Sequence, residues 1–296
     1  MTTVIECPTC NWQPDGEPHW TCTCGYSWNT FETRAKCPKC NTQWETTSCP
    51  GCGKSSPHND WYFDSSIPKE PDTPEIAELK KRKKKLEERL ISLGIKNYRV
   101  SHLPYLDYSK EEFQRPYDVG CRLIILNAIS YSVHNLDDRP KIIEWLKKEK
   151  LWEQVSNNEI NFLNQSKPNE DVLLDLSWKI ESSILLGWVL NLFDNLHDIT
   201  QECSDEVMDA FESKIPELGA ETKDFLRDLK FRPLDQIYEE NLLNELATTY
   251  FRDLMFSGKS DETQIDRVVS FERHQTLNWV RKFQGINEWD DTDTST

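Results

Sequence analysis

Four close cysteine pairs, Cys7/Cys10, Cys22/Cys24, Cys37/Cys40 and Cys49/Cys52, take eight of the ten cysteines of this 296-residue chain and all lie near its start. A stretch of about 60 residues with few aliphatic side chains cannot bury enough surface to fold unaided, so its order must come from cross-links. The residue after each pair is Asn11, Gly25, Asn41 or Gly53. Gly and Asn most readily accept a left-handed backbone, and such a turn aims backbone N–H groups at a thiolate pair, as in a zinc knuckle. The pattern predicts two structural Zn2+ ions, each supplying roughly 10–16 kcal/mol of apparent binding energy. Disulfides are the alternative, but they call for an export signal, and Met1–Glu6 has no basic and apolar leader pattern. No apolar run reaches the ~18 residues of a membrane span. The expectation is a soluble, cytoplasmic chain with reduced, metal-binding thiols.

An internal repeat suggests how the thiols divide. Cys7-Pro8-Thr9-Cys10-Asn11 matches Cys37-Pro38-Lys39-Cys40-Asn41, each followed by a tryptophan, Trp12 or Trp44. The repeat favours sequential pairing, with Cys7, Cys10, Cys22 and Cys24 on one ion and Cys37, Cys40, Cys49 and Cys52 on the other. A cross-braced arrangement is the alternative. Four thiolates at tetrahedral geometry leave no open position, so such sites are structural and not catalytic. His19 and His58 are read as non-ligands, and the isolated Cys121 and Cys203 as buried thiols.

The fold class expected is a small zinc-ribbon module of short β hairpins over residues 1–66, a helical connector over 67–94 and a larger all-α domain over 95–296. In the connector, Thr73-Pro74 reads as an N-cap followed by proline at the first helical position. Gly94 is its terminator. Leu79, Leu86 and Leu93 recur every seven residues, with Ile76 and Leu90 beside them, as a stripe for the body or for a second copy. The basic run Lys80–Lys85 reads as a solvated face relieved by Glu78, Glu87 and Glu88. In the body, Ser109-Lys110-Glu111-Glu112 and Ser156-Asn157-Asn158-Glu159 read as capping boxes. Helices are expected over 121–133, 140–150, 172–196, 205–214, 223–229, 234–255 and 265–283.

The charge weighs against one class and suggests another. A formal net charge of −16 argues against nucleic-acid binding, which needs a concentrated basic face. It suits a protein partner, especially a basic one reached by electrostatic steering.

The end of the chain carries a resemblance. Phe271-Glu272-Arg273-His274-Gln275-Thr276-Leu277-Asn278-Trp279 followed by Trp289-Asp290-Asp291-Thr292-Asp293-Thr294 resembles the bacterial domain-of-unknown-function 4272 family. Arg122, Trp145-Leu146, and Trp178 with Glu181 and Trp188 are similar to that family upstream, so the resemblance spans residues 110–294. The middle departs from it, offering only Tyr250-Phe251-Arg252 where an aromatic–arginine pair is expected. Ser56-Pro57-His58-Asn59-Asp60-Trp61 looks like the end of a mobile zinc-ribbon leader. The resemblance implies a fold and no established activity.

A functional cluster could be built from Glu181, Glu272, His274, Asp290 and Asp293, where carboxylates beside a histidine could do acid–base work or hold a hard metal. Against it, Trp279 and Trp289 read as core anchors, with Glu272, Arg273 and Asp290 fixing the last helix and tail. There is no HExxH, no GxSxG and no phosphate-cradling glycine loop. The favoured expectation is a non-enzymatic interaction protein of immunity or adaptor type. The alternatives are an enzyme using the C-terminal carboxylates and His274, and nucleic-acid binding through the ribbons and the Lys80–Lys85 run.

Overall fold

A computed structural model describes residues 3–51, 53–64, 73–95 and 113–294. They fall into two compact units, one holding the described residues up to Glu87, the other Glu88–Ile95 with those after 112. Most described residues are helical, and strands occur only near the N-terminus, each two or three residues long.

In the first unit, β1 (Thr3–Ile5) pairs antiparallel with β6 (Tyr62–Asp64) in the register Val4 opposite Phe63. Between them lie two short hairpins, β2 (Trp20–Thr21) with β3 (Ser27–Trp28) and β4 (Thr46–Ser48) with β5 (Ser55–Pro57). The unit thus closes end to end, and Glu6 N–H donates to the Trp61 carbonyl at 2.9 Å. Sulfur and aromatic rings replace an aliphatic core. Trp12, Phe31 and Trp61 bury with Cys7 and Cys49, while Trp28 buries with Cys22 and Cys37.

Helix α1 (Pro74–Ser92) starts as its sequence predicts, with Thr73 Oγ1 accepting from Ile76 N–H at 3.3 Å. It ends at Gly94, φ +104°, where Ile95 N–H reaches the Leu90 carbonyl in a Schellman closure. Within the basic run, Arg82 meets Glu78 at 3.1 Å and Lys83 meets Glu87 at 3.0 Å. These i,i+4 pairs supply the expected charge relief, but the solvated-face reading fails at Lys83, whose side chain is buried.

The second unit is all helical among its described residues. Its centre is α2 (Pro116–His134) against α6 (Lys179–Val189), both buried on nearly every side. Small residues permit the approach, and Ser183 Oγ donates to the Leu123 carbonyl. Around them lie α3 (Arg139–Lys148), α4 (Asn157–Asn164), α5 (Glu170–Ser177), α7 (Asp205–Glu212) and α8 (Lys223–Arg227). The long α9 (Leu234–Ser257) and α10 (Arg267–Val280) complete the unit. The Ser156–Glu159 capping box forms in full at the start of α4. The box expected at Ser109–Glu112 lies outside the described residues.

One helix is corrected. The segment 172–196 is not continuous: α5 stops at Ser177 and α6 starts at Lys179. Then α6 ends early, because Asn191 adopts φ +58° and Leu192 N–H bonds the Gly187 carbonyl. Asn accepts this left-handed position where a branched residue would not. The chain therefore turns at 190 and releases residues 194–198 as a loop.

Candidate metal centres and the polar cleft

The four turns after the cysteine pairs form as the residue types dictate. Asn11, Gly25, Asn41 and Gly53 have φ of 61°, 78°, 60° and 68°. Each N–H bonds the carbonyl of the first cysteine of its pair, and the N–H groups of Thr9 and Gly51 point at Cys7 and Cys49 sulfurs at 3.4 and 3.3 Å. The backbone N–H of Cys24, the largest influence on Cys22, helps draw that thiol down to about 6. Such N–H contacts stabilise thiolates, the form that binds metal.

The pairing differs from both arrangements the repeat suggested. Cys22, Cys24, Cys37 and Cys40 form one cluster, and Cys7, Cys10 and Cys49 form another, with the sulfurs of each within 4.8 Å of one another. Cys52 lies outside the described residues. The pairs are therefore nested: second with third, first with fourth. Chain closure is the reason. Pairing β1 with β6 carries the first and last cysteine pairs to the same end of the unit, and Trp20 Nε1–H ties the β2 hairpin to the Ser48 carbonyl at 2.8 Å. The CPxCN repeat records similar turns, and its spacing holds no information about which turns meet.

Sulfur spacing tests the fit to a metal. Tetrahedral bonds of about 2.3 Å place sulfurs about 3.8 Å apart, whereas a disulfide needs about 2.05 Å. Cys22 and Cys40 stand at 3.5 Å, Cys24 and Cys37 at 3.7 Å, and Cys10 and Cys49 at 3.7 Å. The clusters fit a tetrahedral ion. His58 is not a ligand; it sits between Thr47 Oγ1 at 2.7 Å and Tyr62 OH at 2.9 Å, stacked on Phe31. His19 faces Asp15 at 2.7 Å.

The C-terminal signature is distributed around α10. Glu272 accepts from Lys179 Nζ and Ser182 Oγ, both at 2.7 Å, and Thr276 donates to Ser182 at 2.8 Å. Arg273 turns the other way, to Glu240 at 3.2 Å and the His197 carbonyl at 2.8 Å. His274 faces α9, its Nδ1 2.7 Å from Thr248 Oγ1. Burial, aided by Arg252 and Arg281, pushes it down to about 3, so it is neutral at pH 7. Gln275, Asn278 and Trp279 side chains donate to the carbonyls of Thr292, Asp293 and Asn287, strapping the tail onto α10.

Trp289 packs edge-on against Trp279 and under the Arg122 guanidinium, 5.1 Å from its ring centre. Arg122 in turn grips both Glu159 oxygens at 2.7 and 2.8 Å and donates to the Gln154 carbonyl. Asp290 accepts from Asn158 N–H at 3.0 Å, at the first turn of α4, where a carboxylate suits the exposed N–H groups.

Of the five residues considered as a cluster, Glu272 is held by Lys179 and Ser182, whereas Glu181 turns to His197 and Cys203. Asp290 is at α4, and His274 and Asp293 are on the side facing Arg252. Among the described residues no three of the five bring ligand atoms within 4.8 Å of one another. Cys121 and Cys203 are raised to about 11 and 12, in each case chiefly by burial, which keeps both as thiols.

Glu181 leads to a group that sequence reasoning missed. Its Oε1 accepts from Cys203 N–H at 2.7 Å and its Oε2 lies 2.8 Å from His197 Nε2, with both side chains nearly fully buried. Burial raises the Glu181 carboxyl, but the contacts with His197 and the Cys203 N–H outweigh it and hold the group low. His197 borders a cleft of about 310 Å³ lined by Arg89, Trp188, Asp194–Asp198, Arg232, Glu240 and Arg273. These come from the end of α1, α6 and the loop after it, the approach to α9, and α9 and α10, so no local spacing could have announced them.

The two units define a class: a cysteine-rich, metal-fitting module in a chain whose larger part is an all-α domain closed by its own C-terminal strap. The profile of the domain of unknown function DUF4272 matches residues 82–292. The chain belongs to that family. The match opens inside α1, near the point where the second unit begins. No curated protein and no solved structure matches the chain.

Proposed function

We propose that this is a non-enzymatic bacterial interaction protein, cytoplasmic, whose two zinc ions are structural and whose acidic helical domain binds a protein partner. Each zinc would be closed by four thiolates, Cys22, Cys24, Cys37 and Cys40 on one and Cys7, Cys10, Cys49 and Cys52 on the other, leaving no position for a reacting water. The observation that carries the reading is the engagement of the C-terminal signature in holding helices and tail together: Glu272 by Lys179 and Ser182, Asp290 at α4, neutral His274 by Thr248. With a net charge of −16, the partner best suited is basic, an effector that the chain blocks or a protein it recruits. The acidic total also speaks against nucleic acid, and within the Lys80–Lys85 run Arg82 and Lys83 are paired with the flanking Glu78 and Glu87.

The test is coexpression with the products of adjacent genes and size-exclusion chromatography. A complex that holds at about 0.05 M salt and weakens at about 0.5 M is expected, since screening acts on exposed charges. An equally stable complex at both salts would reject electrostatic capture.

A second reading has one observation in its favour, the His197–Glu181 pair beside the cleft, which has the parts of an acid–base dyad. Turnover by the full chain that disappears in Glu181→Gln while folding is retained would favour that reading over the first.

A further inference from the structure

We propose that the cleft beside Arg232 binds a small molecule through an oxyanion group, a carboxylate or a phosphate, held by Arg232 and Arg273 with His197 alongside. The inference goes beyond the interaction reading and does not depend on it.

Three arginines from separate elements converge here, and the chain holds each of them in place. Arg232 stacks on Trp188 with its guanidinium 3.6 Å from the ring centre, and its N–H groups reach the Trp188 and Phe193 carbonyls at 2.6 and 3.1 Å and Gln236 at 3.1 Å. Arg273 is fixed by Glu240 and the His197 carbonyl. Arg89 closes the rim with Asp198 at 3.0 Å. A planar guanidinium immobilised in this way loses little freedom when it grips a carboxylate or phosphate.

The charges around the cleft are unevenly used. Asp198 and Glu240 each already serve an arginine, whereas Arg232 has no carboxylate in ion-pair reach among the described residues. Burial pulls its guanidinium down to about 10, against Asp194 and Glu240 nearby. Two further buried groups want partners: Arg273 Nε and His197 Nδ1 have none. A guanidinium N–H can only donate, so Arg273 Nε calls for an acceptor. Glu181 beside His197 Nε2 favours the proton on that nitrogen, leaving Nδ1 to accept from a ligand hydroxyl. Unpartnered buried polar atoms around a built cavity are the mark of a site meant to be filled.

The full-length, metal-loaded chain would be titrated by calorimetry at low ionic strength with sodium phosphate and, separately, with sodium succinate. One saturable site with either anion is expected, and a preference between the two identifies the group. Asp194→Asn removes an exposed carboxylate at the rim and should tighten binding by about threefold or more. Arg232→Lys, checked for a native melting transition, should weaken it by about tenfold or more because the fork is lost. If the lysine variant does not fold, Asp194→Asn decides. No saturable heat with either anion, or an affinity unchanged by Asp194→Asn or by a folded Arg232→Lys, overturns the proposal.

Discussion

Cys10 and Cys49, 39 residues apart, place their sulfurs 3.7 Å from each other, while Cys22 meets Cys40 inside the loop they enclose. Nesting makes the metal stoichiometry of a double variant diagnostic. Cys7→Ser with Cys49→Ser should lose one zinc and keep the other, read by native mass spectrometry. Sequential or cross-braced pairing would cost both ions. A wild-type count other than two would remove the metal assignment itself.

Arg122 and Glu159 form a buried pair over Trp289, with one guanidinium nitrogen donating to both carboxylate oxygens. Removing one partner strands the other charge, so Arg122→Ala should destabilise the helical domain by about 3–5 kcal/mol. The double variant Arg122→Met/Glu159→Leu should recover much of that loss. Urea unfolding measures both, and equal losses in the single and double variants would show that the charge is not what matters.

His274 gives the helical domain an acid limb. Its folded value near 3 lies below the ordinary 6.5, so between those values the unfolded chain binds a proton that the folded chain does not. Stability from this group is complete above about pH 6.5 and falls with pH by about 1.4 kcal/mol per unit. Glu181, also held low, adds loss in the same direction at lower pH. His274→Gln should flatten the slope between about pH 6 and 4 in denaturant titrations; an unaltered slope would assign the limb to other groups.

Gly94 ends α1 at a positive φ with the backbone of Glu262 and Thr263 against it. A Cβ there would sit 3.3 Å from the Glu262 carbonyl oxygen and 3.2 Å from Thr263 Cα. Gly94→Ala should cost about 1 kcal/mol or more, from both strain and crowding. Thermal melting reads it, and a stabilised variant would contradict the geometry.

What could be read in advance was local. The left-handed turns at Asn11, Gly25, Asn41 and Gly53 and the Ser156–Glu159 box are each decided within four residues, by φ preference or by one side chain reaching one N–H. The roles of Trp279 and Trp289 as anchors followed from their size. Thiol pairing was not legible, because it depends on β1 meeting β6 across the whole module. The break between α5 and α6 escaped for a different reason: apolar spacing continues through Trp178 and Asn191 although the backbone does not. The cleft was least visible of all, since Arg89, His197, Arg232 and Arg273 share no segment and no period.

Nesting also sets an order of assembly. The inner thiols are separated by 13 and 18 residues and the outer contact by 39. As the chain leaves the ribosome, the inner four cysteines are complete before Cys49 exists. Closing them draws the two outer arms together and shortens the loop that the second ion must close, at a lower entropic cost. Filling the inner cluster first would template the outer one, whose thiols lie on the arms that β1 and β6 join.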